Sequence, residues 1–151
     1  MSTVMVGLDE MKAKVGSHLG YSSWHTVTQE KVNLFADATG DHQWIHVDPA
    51  RAKAGPFGTT IAHGYFTLSL WPLLLAEIVT VQGPRFGVNY GLNRLRFPAP
   101  VPVGSRLRLG ATLDSLEDVE GGIQVMMKLT FEVEGSSKPS CVADAILRYY
   151  S

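Results

Sequence analysis

The chain has 151 residues, 45% of them hydrophobic, with 13 Lys and Arg against 14 Asp and Glu and a single cysteine, Cys141. That length sets the expectation of one domain over residues 1–151 with a sizeable core, and a net charge of -1 with scattered cations offers no electrostatic footprint for nucleic acid. One cysteine cannot close an internal disulfide, and the opening M-S-T-V-M-V-G-L-D-E has no basic segment followed by an apolar run, so a cytoplasmic protein acting on a small molecule is expected.

A weak strand candidate lies near Tyr21 to Val27. From Thr28, a capping hydroxyl is followed by Glu30, then by apolar Val32, Leu34, Phe35 and Ala36, with Gly40 as the stop; this predicts an amphipathic helix of about three turns. Asp48 and Pro49 predict a short helical turn through Lys53, with Pro at its first position. The loop Ala54 to Thr60 ends on two threonines, either able to cap the next helix. The run Ile61 to Val81 is apolar on most faces and predicts a long buried helix, kinked at Pro72. His63, Gly64, Ser69, Pro72 and Glu77 interrupt it, so it does not read as a membrane span.

The second half changes period. Leu107, Leu109, Ala111 and Leu113 alternate with polar or small residues, as do Ile123, Val125, Met127, Leu129, Phe131 and Val133. The turn Glu120, Gly121 and Gly122 between them predicts an antiparallel hairpin. Gly91 to Phe97 and Cys141 to Tyr149 add further strands, giving an α+β fold: a curved antiparallel sheet wrapped around the long helix.

The chemistry concentrates in T-G-D-H-Q-W-I-H-V-D-P, Thr39 to Pro49. A glycine at Gly40 can take positive φ and end the helix, after which Asp41 and His46 can converge as an acid–base pair. The bland alternative has Asp41 merely forming a turn through its own backbone. His42 reads as a solvated loop residue, and His63 as a residue holding its loop by a hydrogen bond. Gly64 reads either as a packing glycine or as an N–H donor at a helix start, where an oxyanion would be welcome. H-Q-W-I-H carries no Glu of the zinc-protease type, so no metal is expected. Arg94, Arg96, Arg106 and Arg108 read as a solvated face, with phosphate binding as the second reading.

Three segments, G-D-H-Q-W-I-H at Gly40 to His46, G-P-F-G-T-T-I-A-H-G at Gly55 to Gly64 and R-L-R-F-P-A-P-V-P-V-G at Arg94 to Gly104, resemble the MaoC-like (R)-specific enoyl-CoA hydratases of the hot-dog fold. The resemblance implies Asp41 and His46 as the residues that activate a water and shuttle a proton, and the Gly64 N–H as the oxyanion hole. It also implies an acyl-CoA or acyl-carrier-protein thioester as substrate, no cofactor, and a homodimer. Where the family has G-D-x-N-P, this chain has Gln43 and Trp44; a Gln amide offers the same groups as Asn for orienting Asp41. Two other expectations stand beside the hydratase: a hot-dog thioesterase, for which Glu77 is the one carboxylate on the long helix, and a non-catalytic partner subunit, which would be expected to lack Asp41 or His46.

Overall fold

The computed structural model describes residues 4–151, apart from the side chain of Met5. Six strands form one antiparallel sheet: β2 (His18–Tyr21), β3 (His25–Thr26), β5 (Phe86–Arg96), β6 (Arg106–Val119), β7 (Gly122–Val133) and β8 (Cys141–Tyr150). Its order is β2-β6-β7-β8-β5, with β3 also pairing β6, so β5 is a free edge. The expected hairpin is present, Leu107 opposite Val133 and Val119 opposite Gly122. Period two decides its facing: Ile123, Val125, Met127, Leu129 and Phe131 are buried while their neighbours look outward. The two C-terminal strand expectations also hold, with β5 beginning earlier than Gly91.

Gly122 sits where the hairpin meets β8. A Cβ there would lie 1.9 Å from the Tyr149 carbonyl oxygen, with no flexible side chain to yield. Gly122→Ala should therefore separate this corner and destabilise the protein by roughly 1–3 kcal/mol; a denaturation midpoint equal to wild type would show that the sheet absorbs the methyl.

The concave face is filled by helices. Helix α2 (Gln29–Thr39) starts as expected, the Thr28 hydroxyl accepting from the Lys31 N–H at 3.2 Å, and stops at Gly40 with φ 84°. Asp48 caps α4 (Pro49–Lys53) by accepting from the Arg51 N–H.

The expected single helix over Ile61 to Val81 needs correction. Ile61 instead bridges Pro102, α5 covers Gly64–Ser69, α6 covers Trp71–Ile78, and Val79–Val81 is a strand, β4, parallel to β1 (Val4–Val6). Pro72 falls in the first turn of α6, where its missing N–H costs no hydrogen bond, so the kink becomes a joint at Leu70. The β-branched V-T-V then prefers extended backbone. Nor is the segment buried all round: Phe66, Thr67, Trp71, Leu74, Leu75 and Ile78 face the core, whereas Tyr65 is 66% and Leu73 56% exposed. Neither Thr59 nor Thr60 caps α5; its N-cap is His63, without a side-chain cap bond. Among the described residues no helix is long and apolar enough to cross a membrane.

Two more elements were not expected. Helix α1 (Leu8–Ala13) precedes the sheet, and α3 (Trp44–Val47) replaces part of the presumed loop after Gly40.

Candidate active site

Gly40 turns the chain out of α2, and four residues later α3 begins, so Asp41 stands on the connecting loop and His46 on the short helix. His46 is buried, 7% exposed, and its Nδ1 lies 2.7 Å from the Ile61 carbonyl oxygen. A carbonyl only accepts, so Nδ1 carries the hydrogen, and in the neutral ring the lone pair is on Nε2. Ile61 is held in turn by donating its N–H to the Ile45 carbonyl at 3.0 Å. The imidazole is thereby fixed in both orientation and tautomer.

His63 completes the group. One nitrogen of each histidine and one carboxylate oxygen of Asp41 lie within 4.8 Å of one another. The His63 Nε2–H donates to the Asp41 backbone carbonyl at 3.0 Å, which pins the loop; its ring stacks on His46 with centroids 3.9 Å apart and planes 25° apart. Burial pushes its pKa below the usual histidine range, so the ring is neutral near pH 7. Its Nδ1 is buried without a hydrogen-bond partner. The three side chains do not make a good metal site, because two rings stacked this nearly parallel cannot both aim in-plane lone pairs at one ion.

Gln43 departs from its expected part. It is the Gln43 backbone N–H, not the side-chain amide, that donates to Asp41 Oδ1, at 3.3 Å. The Trp44 indole packs over Gly55 and under the Arg51 guanidinium, 4.4 Å from the ring centre. His42 pairs with Asp37 on the surface, 2.9 Å apart, as a solvated loop residue would.

A cleft of about 290 Å³ opens beside His46, walled by Gly64, Thr67, Phe57, Phe97 and Val101 among others. Gly64 is the first residue of α5, so its N–H has no partner within the helix. A Cβ on it would meet the Phe97 ring at 2.9 Å.

Two residues of this region escaped sequence reasoning. Thr67, one turn after Gly64, is 1% exposed and its hydroxyl has no partner, in the wall of the cleft. Gln29, in the first turn of α2, donates to the His46 carbonyl at 2.7 Å and accepts from the Thr60 hydroxyl at 2.6 Å, joining α2, α3 and the strand-like segment before α5. A polar position between Phe66 and Leu68 in the apolar run was the available signal for Thr67; for Gln29 there was none, since the partners that tie it to this region lie 17 and 31 residues away.

The carboxylate on the central helices is already occupied. Glu77 accepts from the Ser23 N–H at 3.0 Å and from the Ser23 hydroxyl, and pairs with His25. Burial works to raise its pKa, but these donors outweigh burial and hold it below the usual carboxylate value. Such a group ties α6 to the β2–β3 segment and is not among the residues that wall the cleft described above.

The MaoC like domain family matches residues 10–134. The 3-hydroxyacyl-thioester dehydratase Z of Mycobacterium tuberculosis is 60% identical over 141 residues, 93% of each chain. Nodulation protein N of Rhizobium leguminosarum bv. viciae is 40% identical over 144 residues, 93% of this chain and 89% of that one. Among solved structures, the unliganded R-hydratase PhaJ1 from Pseudomonas aeruginosa superposes with a TM-score of 0.73 at 23% identity, covering 91% of this chain and 82% of that one.

Proposed function

Since the chain belongs to the MaoC-like domain family, we propose that it is a hydro-lyase that adds water to trans-2-enoyl thioesters, giving (3R)-hydroxyacyl thioesters, or runs the reverse dehydration. The observation that carries this reading is the Nε2 lone pair of a buried, backbone-anchored His46 with the Asp41 carboxylate beside it. Water held between the two loses a proton to Nε2 as its oxygen bonds to C3. The electron pair moves through C2 to the carbonyl oxygen, and the enolate accepts from the Gly64 N–H. Collapse of the enolate takes a proton at C2 from the protonated pair, so the elements of one water are added and nothing else is consumed.

The 60% identity to a 3-hydroxyacyl-thioester dehydratase supports the substrate class, and the occupied state of Glu77 argues against the thioesterase. A non-catalytic subunit is not favoured, because Asp41 and His46 are both present and adjacent. Chiral chromatography of the product from crotonyl thioester tests the proposal: a fixed His46 and Asp41 address one face of the enoyl plane, so one enantiomer is expected, and the likeness to (R)-hydratases makes it the (3R) alcohol. A mainly (3S) product would overturn it.

The acyl chain has an apolar route. The stripe Gly64, Thr67, Trp71 and Leu75 recurs at helical spacing across α5 and α6, and a second hollow of about 250 Å³ lies between Trp71, Pro72 and Leu75 on one side and Gly87 and Asn89 of β5 on the other. The same edge strand exposes Phe86, Val88, Tyr90 and Leu92. Unpaired, apolar edges are covered by another chain in stable proteins, so the working unit proposed is a two-fold homodimer. Light scattering at assay concentration should give twice 16.5 kDa; full activity at 16.5 kDa would contradict it.

A further inference from the structure

Five arginines stand on the strands; Arg148 donates to Gln124 at 2.9 Å and lies over the Tyr90 ring, and the structure divides the other four into two pairs. Arg106 and Arg108 are spent: they pair with Glu134 at 3.0 Å and Glu132 at 2.9 Å, and Arg108 also lies over the Tyr21 and Trp24 rings. Arg94 and Arg96 have no carboxylate within salt-bridge distance among the described residues, and Arg96 reaches only the neighbouring Leu95 carbonyl, at 2.7 Å. With strictly paired register here, Arg94 opposite Asp144, Leu95 opposite Ala143 and Arg96 opposite Val142, the two guanidinium groups share the outward face of β5. Lys128 lies on the same face across β8, because Asp144 is also its cross-strand neighbour.

These three cations line a groove of about 420 Å³, with Asp144 and Thr130 also in its wall. Lys128 is only loosely held, 4.0 Å from Asp114. Counting Asp144 and Asp114 as one negative charge each against the three cations, the groove keeps an excess of one positive charge over the groups named. It also touches the catalytic cleft: Pro98 lines both, immediately after the Phe97 that faces Gly64. From Phe97 to Arg94 the strand runs roughly 10 Å. A thioester with its carbonyl at Gly64 would leave by this end, because the apolar hollow for the acyl chain lies toward the other end of α5 and α6.

We propose that this groove binds the phosphate-bearing nucleotide end of coenzyme A, with Arg94 and Arg96 holding phosphate oxygens and Lys128 adding charge. This rests on the thioester reading above and selects coenzyme A over a carrier protein. Guanidinium forks that no carboxylate holds in a salt bridge match phosphate geometry, although Asp144 stands in the same groove. A concave site of this size suits a folded small molecule, whereas an acidic carrier-protein helix needs a broad convex-accepting surface.

The test compares crotonyl-CoA with crotonyl-pantetheine, which has the same thioester and no nucleotide, on wild type and on the Arg94→Gln/Arg96→Gln double variant. The variant should raise KM for crotonyl-CoA at least ten-fold with kcat within two-fold, and leave crotonyl-pantetheine unchanged. Calorimetry with adenosine 3′,5′-bisphosphate gives a readout that needs no turnover: it should bind wild type and not the variant. Wild type that binds the nucleotide but hydrates neither thioester would sink the hydratase reading and spare the groove. Equal KM changes for both thioesters, no change for either, or a loss confined to a crotonyl-carrier-protein substrate would overturn the groove assignment.

Discussion

His46→Gln and Asp41→Asn are each expected to slow hydration of crotonyl thioester by ~10²–10⁴-fold, the usual contribution of a positioned acid or base. The two substitutions remove different things. Gln at 46 keeps an amide near the Ile61 carbonyl that Nδ1 now satisfies at 2.7 Å, so the buried anchor has a replacement donor, but no basic nitrogen remains on the cleft side. Asn at 41 keeps an oxygen for the Gln43 N–H and loses the carboxylate to which the proposed mechanism gives the water. Thermal midpoints close to wild type should accompany both losses, because Asp41 is exposed and its loop is pinned through its backbone by His63. Near wild-type rates in both variants would place the proton transfer elsewhere.

Gly64→Ala should abolish most turnover, yet the single variant reads two effects at once. Its methyl would stand 2.9 Å from the Phe97 ring, and Phe97 walls the cleft, so binding suffers along with the N–H donor. A Gly64→Ala/Phe97→Leu pair makes room. If the pair binds a saturated acyl thioester within a few-fold of wild type but hydrates poorly, the donor role stands, since a bond to a developing oxyanion is worth more in the transition state than in the ground state. Turnover restored by the pair would reduce Gly64 to a spacer. The next donors to examine are then the Thr67 hydroxyl and the His63 N–H, because the Ile61 and Ala62 N–H groups are already given to Ile45 and Val101.

What was legible in the chain was local. The Thr28 hydroxyl and Gly40 bracket α2 because both act within one turn of their own backbone. The alternation from Ile123 to Phe131 is a direct record of one wet and one dry face. The break at Leu70 was hidden because apolar content says a segment is covered, not that it is continuous, and the strand Val79–Val81 depends on a partner 75 residues away. At the site, the spacing of Asp41 and His46 announced a pair, but the tautomer of His46 is set by Ile61, and the pinning of Asp41 by His63; such long-range bonds leave no periodic trace.

The joint at Leu70 makes two levers of what would otherwise be one rod. In an unbroken helix a larger side chain at Leu75 would push along the axis and shift Gly64 with it. Here α5 carries Gly64 and Thr67, α6 carries Trp71 and Leu75, and the turn between them can absorb a small change of angle. Under the proposed function, substitutions on α6 therefore offer a way to retune which acyl chains fit while the Gly64 N–H keeps its place, and the two properties are free to be varied separately.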